Sequence, residues 1–117
     1  MTVSEAIARA DGLRVNLLGE EIKAGWIRIV EHGVADMMGK ESQLKGSYSA
    51  DRDTSLLMPP PYDDVYVKYL IAMIDYYNGE TGQYANDMEL YNEAMSRAGS
   101  WWIRNNRPSP KGNWRVM

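Results

Sequence analysis

Between Val65 and Tyr77 only Lys68 and Asp75 are charged, and Ala72 is the only other position that is not large and apolar or aromatic. A helix carrying Val65, Tyr66, Val67, Tyr69, Leu70, Ile71, Met73, Ile74, Tyr76 and Tyr77 has no solvent face, and such a helix must be covered on most sides. A chain of 117 residues offers few other helices to cover it. That length fits one domain, burying roughly 65% of its unfolded surface in one modest core. The shortage of covering surface points to an assembly, in which copies complete one another, rather than to an independent enzyme.

Three further helices are readable around this one. Thr2 and Glu5 form a capping-box pattern, after which Val3, Ile7 and Ala10 share a face until Asp11-Gly12 stops the helix. A helix this short does not stand alone in water. The second helix opens at Gly19-Glu20-Glu21, whose acids suit the positive end of the macrodipole. In it Ile22, Trp26, Ile29, Val30, Val34 and Met37 recur at three and four, with Lys23, Arg28, Glu31 and Asp36 off that stripe and Gly39 as the stop. The apolar helix runs from about Asp63 to Asn78, where Asn78-Gly79 is a strong break. From about Glu80 to Asn105, Tyr84, Met88, Tyr91, Met95, Ala98 and Trp102 step by four and three, a coiled-coil seam. The same phase runs back through Tyr77 to Tyr66, so a single bent helix across Asn78-Gly79 is the alternative.

The expected fold is therefore all-α, a small bundle of about four helices with one long irregular loop between the second and third. Residues 1–108 form the domain and 109–117 a basic tail. The loop, residues 40–62, has no helical period, carries Gly46, Ser47, Ser49, Asp51, Asp53 and three consecutive prolines, and is expected to be flexible. Gln43 to Tyr48 has a weak hairpin pattern. Pro59, Pro60 and Pro61 lead into the third helix, where Asp63 and Asp64 occupy the first turn. Phase agreement among the stripes predicts a core of Ile22, Trp26, Ile29, Val30, Tyr66, Leu70, Met73, Tyr77, Met88, Tyr91, Met95 and Trp102.

Composition excludes several classes of function. There is no cysteine, hence no disulfide or thiolate chemistry. No run approaches the ~18 apolar residues of a membrane span, and Met-Thr-Val-Ser-Glu lacks the basic flank and apolar core of a signal peptide, which favours cytoplasmic synthesis. The net charge of −3 argues against general nucleic-acid affinity. Its placement is uneven. Seven acids (Asp63, Asp64, Asp75, Glu80, Asp87, Glu89, Glu93) stand against Lys68 alone, whereas Arg97, Arg104, Arg107, Lys111 and Arg115 follow with no acid among them. Such an acidic body and basic tail can attract copies head to tail or reach an acidic partner; a solvated surface is the plainer alternative.

Catalytic constellations are missing from the pattern. His32 is the only histidine, and with Glu31 and Asp36 it matches no zinc spacing. Gly12, Gly19, Gly25 and Gly33 form no phosphate loop. Asp51-Arg52-Asp53-Thr54 lacks the central glycine and distal glutamate of a calcium hand. A DNA-reading helix-turn-helix fails because Glu20-Glu21 would face phosphate. Neither a metal, a cofactor nor catalysis is expected. Trp101 reads as a partner anchor or as a residue packed on helix two, while Trp102 completes the seam.

An ordered series of residues resembles the small phage and prophage head–tail connector proteins, also called head-completion or adaptor proteins. It comprises Ala6-Ile7, Leu13-Arg14 and Asn16, the Trp26 helix, Pro59 to Tyr66, Tyr69 through Glu80, Tyr84 to Asp87, Leu90-Tyr91-Asn92 and Trp102 with Arg104-Asn105. It spans most of the chain except the 40–57 loop and the extreme tail. Gly25, Gly82 and Gly99 depart from it by interrupting helices. The resemblance implies a virion structural protein that forms a homo-oligomeric ring beneath the portal, contacts the next tail-side connector, and lets DNA pass without sequence-specific binding. It would reside in the bacterial host cytoplasm during assembly, then in the virion neck. The interface expected for such a subunit draws on Trp101, Arg104, Arg107, Lys111, Trp114 and Arg115 against Asp63, Asp64, Asp87, Glu89 and Glu93. The alternative is a small helical regulator or inhibitor that binds one protein partner through Trp101, Trp102 and Trp114.

Overall fold

The computed structural model describes residues 1–106. It is all-α: α1 Val3–Leu13, α2 Glu20–Met38, α3 Tyr48–Asp51, α4 Asp64–Tyr77 and α5 Thr81–Asn106. The expected capping box opens α1, Thr2 Oγ1 accepting from the Glu5 amide and Glu5 Oε1 from the Thr2 amide at 2.8 Å. Gly39 ends α2 in the left-handed conformation that glycine adopts without a Cβ penalty (φ 66°). Gly79 (φ 81°) breaks the chain between α4 and α5, so these are two helices, not one bent helix.

The central layer is α4. Met1 near Asp63, Arg14 on Asp75 and the Val15 carbonyl on Asn78 set α1 parallel to it. Trp26 against Tyr77 and Glu31 against Tyr66 set α2 antiparallel. On the other side α5 returns antiparallel, matched by the ring pairs Tyr62–Trp101, Tyr69–Tyr91 and Tyr76–Tyr84, each with centroids 5.1 Å apart. Each covering helix meets a different side of α4, which is how a short chain buries Val65, Tyr66, Leu70 and Ile74 completely. Coverage stops at the C-terminal end, where Tyr76 and Tyr77 are more than half exposed.

Helix α2 keeps Trp26, Val30 and Val34 of its predicted stripe buried and Met37 half-buried, but is rotated enough to leave the stripe's Ile22 and Ile29 outside. Its buried residues are Lys23, Ala24, Trp26, Ile27, Val30, Glu31, Val34, Ala35 and Met38, while Ile22 and Ile29 are exposed. The predicted core stands for Trp26, Val30, Tyr66 and Leu70. Met73, Tyr91, Met95 and Trp102 pack against it half-buried, Met88 is half-buried, and Tyr77 is at the surface. Trp101 stacks on Tyr62 and packs against the edge of the core, and Lys40 lies over the Trp102 ring.

The 40–62 segment, expected to be a flexible loop, is built into the fold. No hairpin forms at Gln43 to Tyr48; Ser47 instead caps the short helix α3. Buried Asp51 accepts from the Lys45 and Gly46 amides at 2.7 and 3.0 Å, and Glu21 accepts from the Tyr48 amide at 3.0 Å. Leu56 and Met58 enter the core before the cis Pro60–Pro61 bond delivers the chain to α4.

Candidate functional site

Besides the buried Asp51, which Arg28 approaches at 3.8 Å, three clusters of buried polar groups among the described residues tie separate elements together. In the first, Lys23 reaches from α2 to Asp11 at 2.8 Å and to Asn16 at 3.1 Å, closing the α1–α2 connection. In the second, Glu31 accepts from the Leu57 amide at 2.9 Å and from the Tyr66 hydroxyl at 2.5 Å, and that hydroxyl accepts from the Met58 amide at 3.0 Å. Burial pushes the Glu31 carboxyl up, against the two hydrogen bonds that favour its charged form. Burial also raises the Tyr66 phenol, and its bond to Glu31 raises it further. Neither group faces an open cavity; together they tie residues 56–58 to α2 and α4.

The third cluster joins α1, α4 and α5. Arg14 Nε donates to both oxygens of Asp75 at 3.2 and 3.0 Å, and its Nη2 lies 3.8 Å from Asp87. Both carboxylates are almost fully buried. Burial pushes the Asp87 carboxyl up, and the Asp75 carboxylate within hydrogen-bonding reach adds to the rise. Asp87 Oδ1 accepts from Gln83 at 3.1 Å, but its Oδ2 has no partner among the described residues. Burial and the neighbouring Asp75 carboxylate thus favour the protonated form of Asp87, in which the repulsion of two anions sharing one guanidinium is relieved. Two carboxyls around an arginine, opening only on a cavity of ≈ 140 Å³ shared with Lys68, Ile71 and Leu90, make a structural lock. No group of three potential ligands able to hold a metal occurs among the described residues, and His32 is exposed.

The residues expected at an interface are dispersed. Asp87 is inside the third cluster, and Asp63 is buried at the start of α4, 3.8 Å from the terminal amine. Asp64 pairs with Lys68 at 3.1 Å. Glu89 and Glu93 are exposed on α5, with Glu93 4.0 Å from Arg97. Trp101 is half-buried under Tyr62, and exposed Arg104 edges a polar groove with Tyr62, Arg97 and Ser100. Arg107, Lys111, Trp114 and Arg115, with the rest of the expected tail, lie outside the described residues.

Sequence reasoning missed a different surface. Between α1 and α2 the chain is extended; Asn16 and Leu18 turn inward, while Val15 and Leu17 are 89% and 102% exposed. Leu13, Ile22, Tyr76 and Tyr77, also exposed, carry apolar surface around this end of the molecule. Beside Leu13 a groove of ≈ 530 Å³ runs between α1 and α4, floored by Ala8, Gly12, Val67 and Ile71 and edged by Arg9, Asp64 and Lys68. No family model matches the chain, and no curated protein or solved structure shows significant similarity to it. No helix among the described residues is long and apolar enough to cross a membrane.

Proposed function

We propose that this chain is a non-catalytic virion structural subunit, a head–tail connector or adaptor that forms a ring under the portal and extends the DNA channel toward the tail. The observation that carries the reading is the uncovered apolar end, Val15, Leu17, Tyr76 and Tyr77. Val15 and Leu17 are covered by nothing among the described residues, Tyr76 and Tyr77 leave about half of each side chain exposed beyond their contacts with Tyr84 and Trp26, and exposed apolar surface of this kind marks interaction sites. The ordered residue series from Ala6 to Asn105 supplies the context, a phage neck reached after assembly in the host cytoplasm. Its partners are copies of itself, the portal and the next tail-side connector, with DNA passing unread.

Electron microscopy of the full chain, alone and after addition to portal-bearing heads that lack their connector, tests the reading. Rings of copies below the portal and restored tail attachment are the expected result. A stable one-to-one complex with a single host protein, with no ring and no incorporation into heads, overturns it in favour of a regulator.

A further inference from the structure

Val15 and Leu17 stand on the outer side of an extended segment, with nothing from the described residues covering them. The segment is held rigidly from behind. Asn16 bonds Asp11, the Arg14 carbonyl and the Leu18 amide, and Asn78 grips the Val15 carbonyl at 3.0 Å. A knob fixed by so many bonds is preorganised, so little conformational freedom is lost when it is buried. On the same molecule the α1–α4 groove is apolar along its floor, and its ≈ 530 Å³ falls within the range that holds compact apolar groups.

Charge matches the two surfaces. Leu17 is followed by exposed Glu20 at the start of α2, and Glu20 has no ion pair among the described residues. The groove is edged by Arg9, exposed and likewise without an ion pair among the described residues, and by Lys68, whose charge Asp64 on the same edge already meets at 3.1 Å, so Arg9 is the cation left for Glu20. We infer that the Val15–Leu17 knob of one copy seats in the α1–α4 groove of a second copy, with Glu20 facing Arg9. The inference rests on the reading of the chain as an assembly subunit and names the surface through which copies meet. The contact uses two different faces, so it propagates from copy to copy unless the pair closes on itself.

The absence of cysteine permits a direct test in the full chain. Gly12→Cys places a thiol on the groove floor, where an added Cβ meets nothing within 4 Å, and Leu17→Cys places one on the knob. The two single variants are treated with a short thiol cross-linker, separately and mixed, at high concentration and on portal-bearing heads. The mixture should yield a cross-linked pair several-fold above either variant alone. Leu17→Asp should leave the melting temperature unchanged, since Leu17 is exposed, and weaken self-association by about thirtyfold or more. Arg9→Glu should weaken it several-fold, with Glu20→Lys in the other copy restoring it. Rings or occupied heads without a Gly12–Leu17 link overturn the contact while leaving the assembly reading intact. A Leu17→Cys variant that links only to portal also overturns it. A Gly12–Leu17 link in a particle that is only a dimer supports the contact and overturns the ring. A chain that neither self-associates nor joins heads overturns both.

Discussion

Asp87 is the residue whose chemistry departs furthest from what its letter implies. An acid on an acidic stretch reads as surface charge, yet this one is buried against Asp75 with Arg14 from α1, Gln83 beside it and Lys68 across a small cavity. Its carboxyl is raised above the ordinary aspartate range of about 4. The stability that its protonated form contributes is therefore fully present below that range and is lost as pH rises through the raised value. Asp87→Asn copies the protonated acid, so wild type should lose stability relative to this variant as pH rises from about 4, read by urea unfolding across pH. Parallel profiles for the two proteins would show that Asp87 holds no proton. Glu31 and Lys23 were misread for a related reason: both are buried against partners on other elements, Glu31 against Tyr66 and Leu57 and Lys23 against Asp11 at the end of α1. Tyr66→Phe deletes the group that bonds Glu31 and the Met58 amide together. Leaving that amide unpaired in the interior should cost about 1–3 kcal/mol. A loss under half a kilocalorie per mole (the scale of ordinary surface changes, about 0.5) would mean the network is ornamental.

At the scale of elements, helix existence was legible and helix rotation was not. Thr2, Gly39 and Gly79 mark boundaries through their own backbone chemistry, so α1, α2, α4 and α5 fall within a residue or two of expectation. In α2, however, Ile22 and Ile29 compete with Ala24, Ile27 and Met38 for the places beside Trp26, Val30 and Val34 on the core-facing stripe, and local periodicity cannot rank two overlapping apolar faces. Lys23 and Glu31 decide the matter by finding partners inward. Ile27→Ala should accordingly cost about 2–5 kcal/mol, whereas Ile29→Lys should change stability by no more than about 0.5 kcal/mol, both by denaturant unfolding of the monomer. Equal losses would return the helix to its sequence-derived orientation. The 40–62 segment was opaque for the same physical reason. Leu56, Met58 and Asp51 carry no period, and only their contacts with α2 and α4 reveal them as core.

For the whole molecule, the all-α layering around α4 was written in its own sequence, because an apolar helix recruits cover from every side. The surface left over was not, since exposure is the remainder after all long-range packing is settled. That remainder divides by chemistry into the apolar end at Val15 and Leu17 and the far end of α5, where Arg104 precedes the bases of residues 107–117. Asp63 and Asp87 are taken inside, so the acids left for an electrostatic partner are Asp64, Glu89, Glu93 and those of other proteins. Exposed pairs are worth about 0–1 kcal/mol each, so charges at such an end could hold a partner only as an array. Among the described residues of α5, the last that pack on the core are Trp101 and Trp102. Ending the chain after Asn106 should therefore leave the melting temperature unchanged and abolish joining to portal-bearing heads. Reversing the tail charges should do the same and be partly restored by reversing Glu89 and Glu93 in neighbouring copies if those copies are the partner, or by reversing portal acids if the portal is. Heads completed normally by the truncated chain would assign the whole of docking to the apolar end.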